Sequence, residues 1–284
     1  MQRFYFEDEE QTIELTNVID FAGLDAAAPQ FSMHKGYKQD GVTMHDVSYD
    51  ARRFSIQLDI RGDGYEAAAA ARRELMAFFG KKTAKRFVYR RGTTELYLED
   101  VYMAAPFETG GRERRTFTGL LQFIATNPYF QRPVTAPSMA LETALYEYPE
   151  EGMEFIEGGI EYSSVQNAIT VVNRGTVPSP ALIRLYGAAA APAITNNTTG
   201  QTFALKSDKS IAEGEILEID SKTARVEIID DEGERHLAFN YIDDDPDKTQ
   251  FIMLAPGENS ISFEVSGGSV GYIEVAGYEY YTNI

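Results

Sequence analysis

Phe54-Ser55-Ile56-Gln57-Leu58-Asp59-Ile60 alternates apolar and polar side chains without a break. A pleated strand points successive side chains to opposite faces, so Phe54, Ile56, Leu58 and Ile60 share one face and need a core beneath it. Similar runs surround it: FYFEDEE from Phe4, TIELTNVI from Thr12, KRFVYRRGTTELYLEDVYM from Lys85 and RRTFTGLLQFIA from Arg114 are rich in Phe, Tyr, Ile, Val and Thr. Such residues fit a half-buried pleated surface, and each run predicts a strand. Arg90-Arg91-Gly92-Thr93-Thr94-Glu95 separates two of them and predicts a hairpin turn, with Gly92 free to take a positive φ.

One strong helix interrupts the strands. Tyr65 to Phe79 holds five consecutive alanines, Ala67 to Ala71, followed by Arg72-Arg73-Glu74-Leu75-Met76-Ala77-Phe78-Phe79. Asp63 or a neighbour is placed to cap its start and Gly80 to follow its end. Ala68, Leu75 and Phe79, with Ala71 and Met76 beside them, fall on one face at 3.6-residue spacing and predict packing against the sheet, leaving Arg72 and Arg73 on a solvated face.

After Thr126-Asn127-Pro128-Tyr129-Phe130 the composition changes to a Pro-rich, irregular and acidic stretch, which marks a domain boundary. From Ala168 the reading is all-β: AITVVN, ALIRLYG, FALK, ILEID, ARVEIID, RHLAFNYI, FIML, NSISFEV and GYIEVAGYEYY alternate with turn clusters, and no helical run appears among them. Short strands at regular spacing favour a two-sheet antiparallel sandwich. The fold class is mainly β with one main helix: an α+β domain over 1–132, a linker over 133–167, and a β-sandwich over 168–284. A length of 284 residues suits two domains.

Composition narrows the function. With no cysteine the chain has no disulfide, thiolate nucleophile or Cys-ligated metal, and no stretch approaches the ~18 apolar residues of a membrane helix. Neither an export signal nor membrane insertion is expected. The net charge of −18 is unevenly spread: residues 1–132 hold 18 of the 26 Lys+Arg and 19 of the 44 Asp+Glu, leaving 8 against 25, a net of −17, in 133–284. So acidic a half repels nucleic-acid phosphates and anionic lipids and keeps a crowded or oligomeric protein soluble.

Candidate chemistry is sparse. The turn Asp243-Asp244-Asp245-Pro246-Asp247 offers hard oxygen ligands but lacks the spacing of a calcium loop, and Asp230, Asp231, Glu232 and Glu234 read as a hairpin tip. Gly62-Asp63-Gly64 matches no phosphate-loop spacing, and Asp63 would repel an anion. His34, His45 and His236 read as turn or surface residues. No catalytic, cofactor or metal residues are assigned, and an enzyme is not expected. Tyr278, Tyr280 and Tyr281 could stack on a sugar, although alternating tyrosines on a final strand more often divide between core and interface.

The order of these segments resembles the distal tail protein (Dit) family of long-tailed siphophages and related prophages, over essentially the whole chain. The resemblance rests on Gly36-Tyr37-Lys38-Gln39-Asp40-Gly41 leading to Arg52-Arg53-Phe54-Ser55-Ile56-Gln57-Leu58, on the helix and the Phe87-to-Leu98 hairpin, and on Phe123-Ile124-Ala125-Thr126-Asn127-Pro128-Tyr129-Phe130. In the second half it rests on Val172-Asn173-Arg174-Gly175, Pro178 to Gly187, Ile194-Thr195-Asn196, Gly214 to Asp220, and Leu254-Ala255-Pro256-Gly257-Glu258-Asn259-Ser260-Ile261.

The resemblance implies a structural hub of a phage or phage-derived tail tip, or baseplate. In it a homo-hexamer of N-terminal domains forms a ring joining the tail tube to the tail-tip protein, with DNA only in transit through the pore. It implies a galectin-like C-terminal sandwich, which in many phages carries receptor-binding proteins, and a location in the virion after synthesis in the bacterial cytoplasm. A carbohydrate-binding adhesion module that touches a host surface glycan is the alternative. A charge-balanced first half can pair copies around an axis without large net repulsion, and Arg112, Arg114 and Arg115 are candidate inter-subunit contacts.

Overall fold

The strand read from Phe54 to Ile60 runs from Arg52 to Arg61, and every residue of its apolar set is buried. The computed structural model describes residues 2–25, 27–38, 40–113, 116–133, 168–245, 249–266 and 270–284, with the backbone alone at 106, 108–113, 133 and 270–272. The expected linker, 133–167, lies outside the described residues apart from the backbone at 133. Among the described residues no helix is long and apolar enough to cross a membrane. The chain divides into two compact units, Met1–Arg132 with Tyr280–Ile284, and Pro133–Glu279.

The strands of the first unit are β1 (Gln2–Glu7), β2 (Thr12–Leu15), β3 (Val18–Ala22), β4 (Pro29–His34), β5 (Thr43–Tyr49), β6 (Arg52–Arg61), β7 (Lys85–Arg91), β8 (Thr94–Glu113), β9 (Thr116–Ala125) and β10 (Phe130–Pro133), with helix α1 (Tyr65–Gly80) between β6 and β7. The run TIELTNVI forms two strands rather than one, because Asn17 takes φ 56 and breaks the extended backbone between β2 and β3. All pairings are antiparallel. The order is β2-β1-β7-β8-β9-β6-β3, with β10 also on β8. β8 pairs first with β7 and then, after Asp100 at φ 51, with β9 through a bulged register. A bulged strand bends and twists more than a regular one, so a single long strand serves two parts of the sheet.

The core of this unit is aromatic. Phe6 lies 4.6 Å from Phe123 and 5.0 Å from Phe87, ring centroid to centroid, while Phe54 lies 5.1 Å from each of Phe87 and Phe123. Burying each such ring is worth about 1.5–3 kcal/mol, with roughly 0.5–1.5 kcal/mol more for a well-placed pair. α1 closes the core with Ala68, Leu75, Phe78 and Phe79, and Phe79 meets Phe6 edge-on at 4.9 Å. Gly64, not Asp63, occupies the N-cap, with no side-chain hydrogen bond, and Gly80 is the last helical residue instead of the one after it. Arg72 is not simply solvated. Its guanidinium lies 5.5 Å from the ring of Phe107 and 5.7 Å from that of Phe117.

The second unit contains β11 (Ala168–Asn173), β12 (Ser179–Gly187), β13 (Ala189–Ala190), β14 (Ala193–Asn196), β15 (Gln201–Ala204), β16 (Ser210–Ile211), β17 (Ile216–Asp220), β18 (Arg225–Ile229), β19 (Arg235–Leu237), β20 (Met253–Leu254), β21 (Gly257–Glu264) and β22 (Val270–Tyr281). RHLAFNYI is a strand only to Leu237, and a 3-10 turn spans Phe239–Tyr241. β19-β18-β17-β12-β22 make one sheet and β11-β21-β14-β15 another. Ile183, Leu185, Leu217, Ile219, Ile273 and Val275 from the first join Ile169, Ile194, Phe203, Ile261 and Phe263 from the second in a common core. The fold is mainly β, with antiparallel sheets and one main helix.

Candidate assembly surface

Two strands of the first unit stand apart from its sheet. Among the described residues β4 and β5 pair only with each other, and every residue of both is exposed. Pairing Pro29 with Tyr49, Phe31 with Val47 and Met33 with Met44 puts these six side chains on one face. Gln30 opposite Ser48, Ser32 opposite Asp46, and His34 opposite Thr43 form the other. The hairpin is therefore amphipathic. Phe31 is 49%, Met33 55%, Met44 54% and Val47 46% exposed, so the apolar face lacks cover among the described residues. An isolated two-stranded hairpin is marginal in water, and a contiguous exposed apolar face marks an interaction site.

The described residues of segment 36–41 lie at the tip of this hairpin, where Lys38 and Gly41 take positive φ and the Lys38 ammonium lies 5.3 Å from the Tyr37 ring centroid. His34 and His45 face each other with ring centroids 6.2 Å apart. The register shifts between Ser32 and Met33, leaving His45 as the extra residue. Of the arginines expected at subunit contacts, Arg112 lies in β8 opposite Phe117, while Arg114 and Arg115 fall outside the described residues.

The base of the hairpin is closed by a buried arginine. Arg52, 2% exposed, begins β6 and donates from Nε to the Pro128 carbonyl (2.7 Å). Nη1 donates to the carbonyls of Gly23 (3.0 Å) and Leu24 (3.2 Å), and Nη2 to that of Thr282 (2.6 Å). Its planar fork matches several carbonyls at once, which a lysine could not do. Burial lowers its pKa to about 10, so it stays charged at neutral pH, and it also lies 4.9 Å from the ring centroid of Phe130. Above it Tyr129 meets Tyr49 edge-on at 5.8 Å and stacks on Tyr280 at 5.5 Å.

The second unit organises its charge. Glu218 accepts from Arg184 Nε (2.6 Å) and Arg235 Nη1 (2.7 Å), and Arg235 also reaches Glu227 (2.7 Å). Burial raises the Glu218 pKa, but these two guanidinium groups outweigh it and the net shift is downward. Excess acid collects at turns. Asp230 accepts the backbone N–H groups of Glu232 and Glu234 and faces His236 Nε2 at 3.1 Å, as a hairpin tip should. Asp244 pairs with Lys206 at 2.9 Å, and 246–248 lie outside the described residues. The three tyrosines of the final strand do not form one open platform. Tyr280 is buried, Tyr281 packs against the core of the first unit, and the Lys222 ammonium lies 4.3 Å from the Tyr278 ring centroid.

Three asparagines within the sequence segments of the second half prove structural. Asn173, Asn196 and Asn259 are all buried. Asn173 Nδ2 donates to the Leu254 carbonyl (2.9 Å), Asn196 Nδ2 to the Met253 carbonyl (2.9 Å) and Asn259 Nδ2 to the Ala255 carbonyl (2.7 Å). Together they hold β20 and the turn after it to the ends of β11 and β14 and the body of β21.

Residues 10–125 match the family described as the phage tail protein RIFT-related domain. Residues 174–275 match the siphovirus-type tail component, C-terminal domain. Among solved structures, the chain is similar to the Dit protein (gp 19.1) of phage SPP1, described as a paradigm of the hub adsorption apparatus in phages infecting Gram-positive bacteria. That match has a TM-score of 0.67 at 13% identity and covers 98% of each chain. It is also similar to a chain of the phage P2 baseplate in its activated conformation with Ca, with a TM-score of 0.54 at 12% identity over 100% of each chain. At these identities the likeness is one of fold. Comparison with curated proteins gave no sequence match.

Proposed function

The chain belongs to the siphophage distal tail protein family and is a structural component of a phage tail rather than an enzyme; from that premise we propose that it forms a homo-hexameric ring, the hub between the tail tube and the tail-tip protein. The observation that carries this reading is the β4–β5 hairpin. Its apolar face is uncovered by the other described residues, and a neighbouring copy that covered it would repeat the same contact around an axis until the ring closed. The near balance of charge in residues 1–132 lets such copies approach without strong repulsion. Arg112, Arg114 and Arg115 add contacts within that ring. The second unit offers its surface to the host-recognition apparatus, and the chain, made in the bacterial cytoplasm, enters the virion at the tail tip.

Light scattering and negative-stain microscopy of the purified protein test this. A holed ring of six copies is expected, and Phe31→Asp combined with Met44→Asp should reduce it to single chains while leaving the circular dichroism spectrum unchanged, because neither side chain is in a core. A wild-type protein that stays solitary at high concentration and beside its tail neighbours would overturn the reading.

A further inference from the structure

The hairpin is held at its base by residues far apart in sequence. Gly23-Leu24, which lead into β4, and Arg52, which follows β5, are joined by the Arg52 guanidinium, and the same group holds Pro128 and Thr282. Beside it runs a ladder of three rings. Tyr49, paired with Pro29 at the hairpin's foot, meets Tyr129 edge-on, and Tyr129 stacks on the buried Tyr280 with an interplanar angle of 24°. Gln30 Nε2 adds a bond to Asp50 Oδ2 (2.8 Å) across the foot. Among the described residues the hairpin has no sheet neighbour, so the contacts at its foot set the direction in which it leaves the unit.

We infer that Tyr280–Ile284 act as a brace for the assembly hairpin, with Tyr129 and Tyr280 as positioning residues that transmit their docking to Tyr49. The inference rests on the reading of the hairpin as the surface between copies. It carries a consequence for assembly. The brace follows the whole second unit in sequence, so a chain interrupted anywhere between residues 133 and 279 has the hairpin but not its support. Assembly competence is thereby tied to synthesis of both units, a control that no residue of the hairpin could exert alone.

The test uses the full chain with Tyr129→Ala, Tyr280→Ala and the ring-conserving Tyr129→Phe, read by sedimentation velocity across concentration and by amide hydrogen exchange under dilute, unassembled conditions. The alanine variants should raise the concentration at half-assembly by roughly tenfold, about what the loss of a good aromatic pair implies. They should also speed exchange at residues 30–31 and 47–51 with the sheet strands unchanged, while Tyr129→Phe stays close to wild type. Wild-type assembly with alanine variants that assemble equally well would overturn the brace and leave the ring reading intact. Faster exchange throughout the first unit would also overturn it, by reducing these residues to general stability. If the wild type does not assemble, the ring reading fails, and exchange at the hairpin foot alone decides whether the brace exists.

Discussion

Asn259 and Asp8 each hold a turn through one side chain, by opposite electrostatics. Asn259 accepts the Ala255 N–H (2.8 Å) and donates to the carbonyls of Ala255 and Gly257 (2.7 and 3.1 Å). Asn259→Asp replaces a donor with an acceptor facing two carbonyls, so the second unit should lose on the order of 3 kcal/mol in urea unfolding. A loss of a few tenths would show that the turn does not depend on it. Asp8 accepts the N–H groups of Glu10 and Gln11 (3.0 and 2.9 Å) and faces the ammonium groups of Lys85 (3.2 Å) and Lys81 (3.4 Å). Burial would raise its pKa, but these partners outweigh it and hold the carboxyl at about 2. A folded-state pKa below the unfolded value means that the stabilisation is complete above about pH 4 and lost as pH falls towards 2. Asp8→Asn should therefore flatten the acid limb of the first unit's stability curve over that window, and an unchanged limb would assign the acid sensitivity to other carboxylates. Neither role was legible beforehand. The sequence offers Asn259 only as part of the Leu254-to-Ile261 segment, and Asp8 as one acid in a run of four, because partners such as Lys85 are brought in by the fold and not by spacing.

Among the elements, β6 and α1 were legible because each buries one face of a strict period, and the turn at Gly92 because φ 62 there favours glycine. The β4–β5 hairpin was missed for a physical reason. The bulge at His45 places Met44 and Val47 three apart instead of two, so the alternation that marks a strand is out of phase across β5. The helix makes a prediction of opposite signs at its two ends. A Cβ added to Gly62 would lie 2.4 Å from the Ala68 backbone nitrogen, so Gly62→Ala must displace the first turn and should cost about 1–3 kcal/mol. Gly80 is helical with open space around it, and Gly80→Ala should add roughly 0.5–1 kcal/mol. Thermal unfolding of the two variants checks both, and equal shifts would mean that the close approach at Gly62 is relieved without cost.

For the whole molecule, the feature hardest to read from sequence is that the first unit is discontinuous. No local pattern announces that the tyrosines ending the last strand divide, with Tyr278 in the second unit and Tyr280, Tyr281 and Ile284 in or against the core of the first. The decision belongs to partners more than 150 positions earlier, Arg52 and Tyr129. Removing 280–284 should therefore act on one unit alone. It exposes the surface that Tyr280 covers and leaves Arg52 Nη2, buried and charged, without its Thr282 acceptor, a combined loss on the order of 3–5 kcal/mol. For a unit of this size that is a fall of about 10 °C or more in its midpoint. Because the two cores share no residue, calorimetry of the truncated chain should show one transition moved down and the other in place. Arg52→Lys in the intact chain should move the same transition in the same direction by less, since an ammonium keeps the charge but cannot reach four carbonyls. If truncation moves both transitions equally, the two units unfold as one and the separate cores give no separate stability. If it moves neither, the final segment is held by the fold without contributing to it.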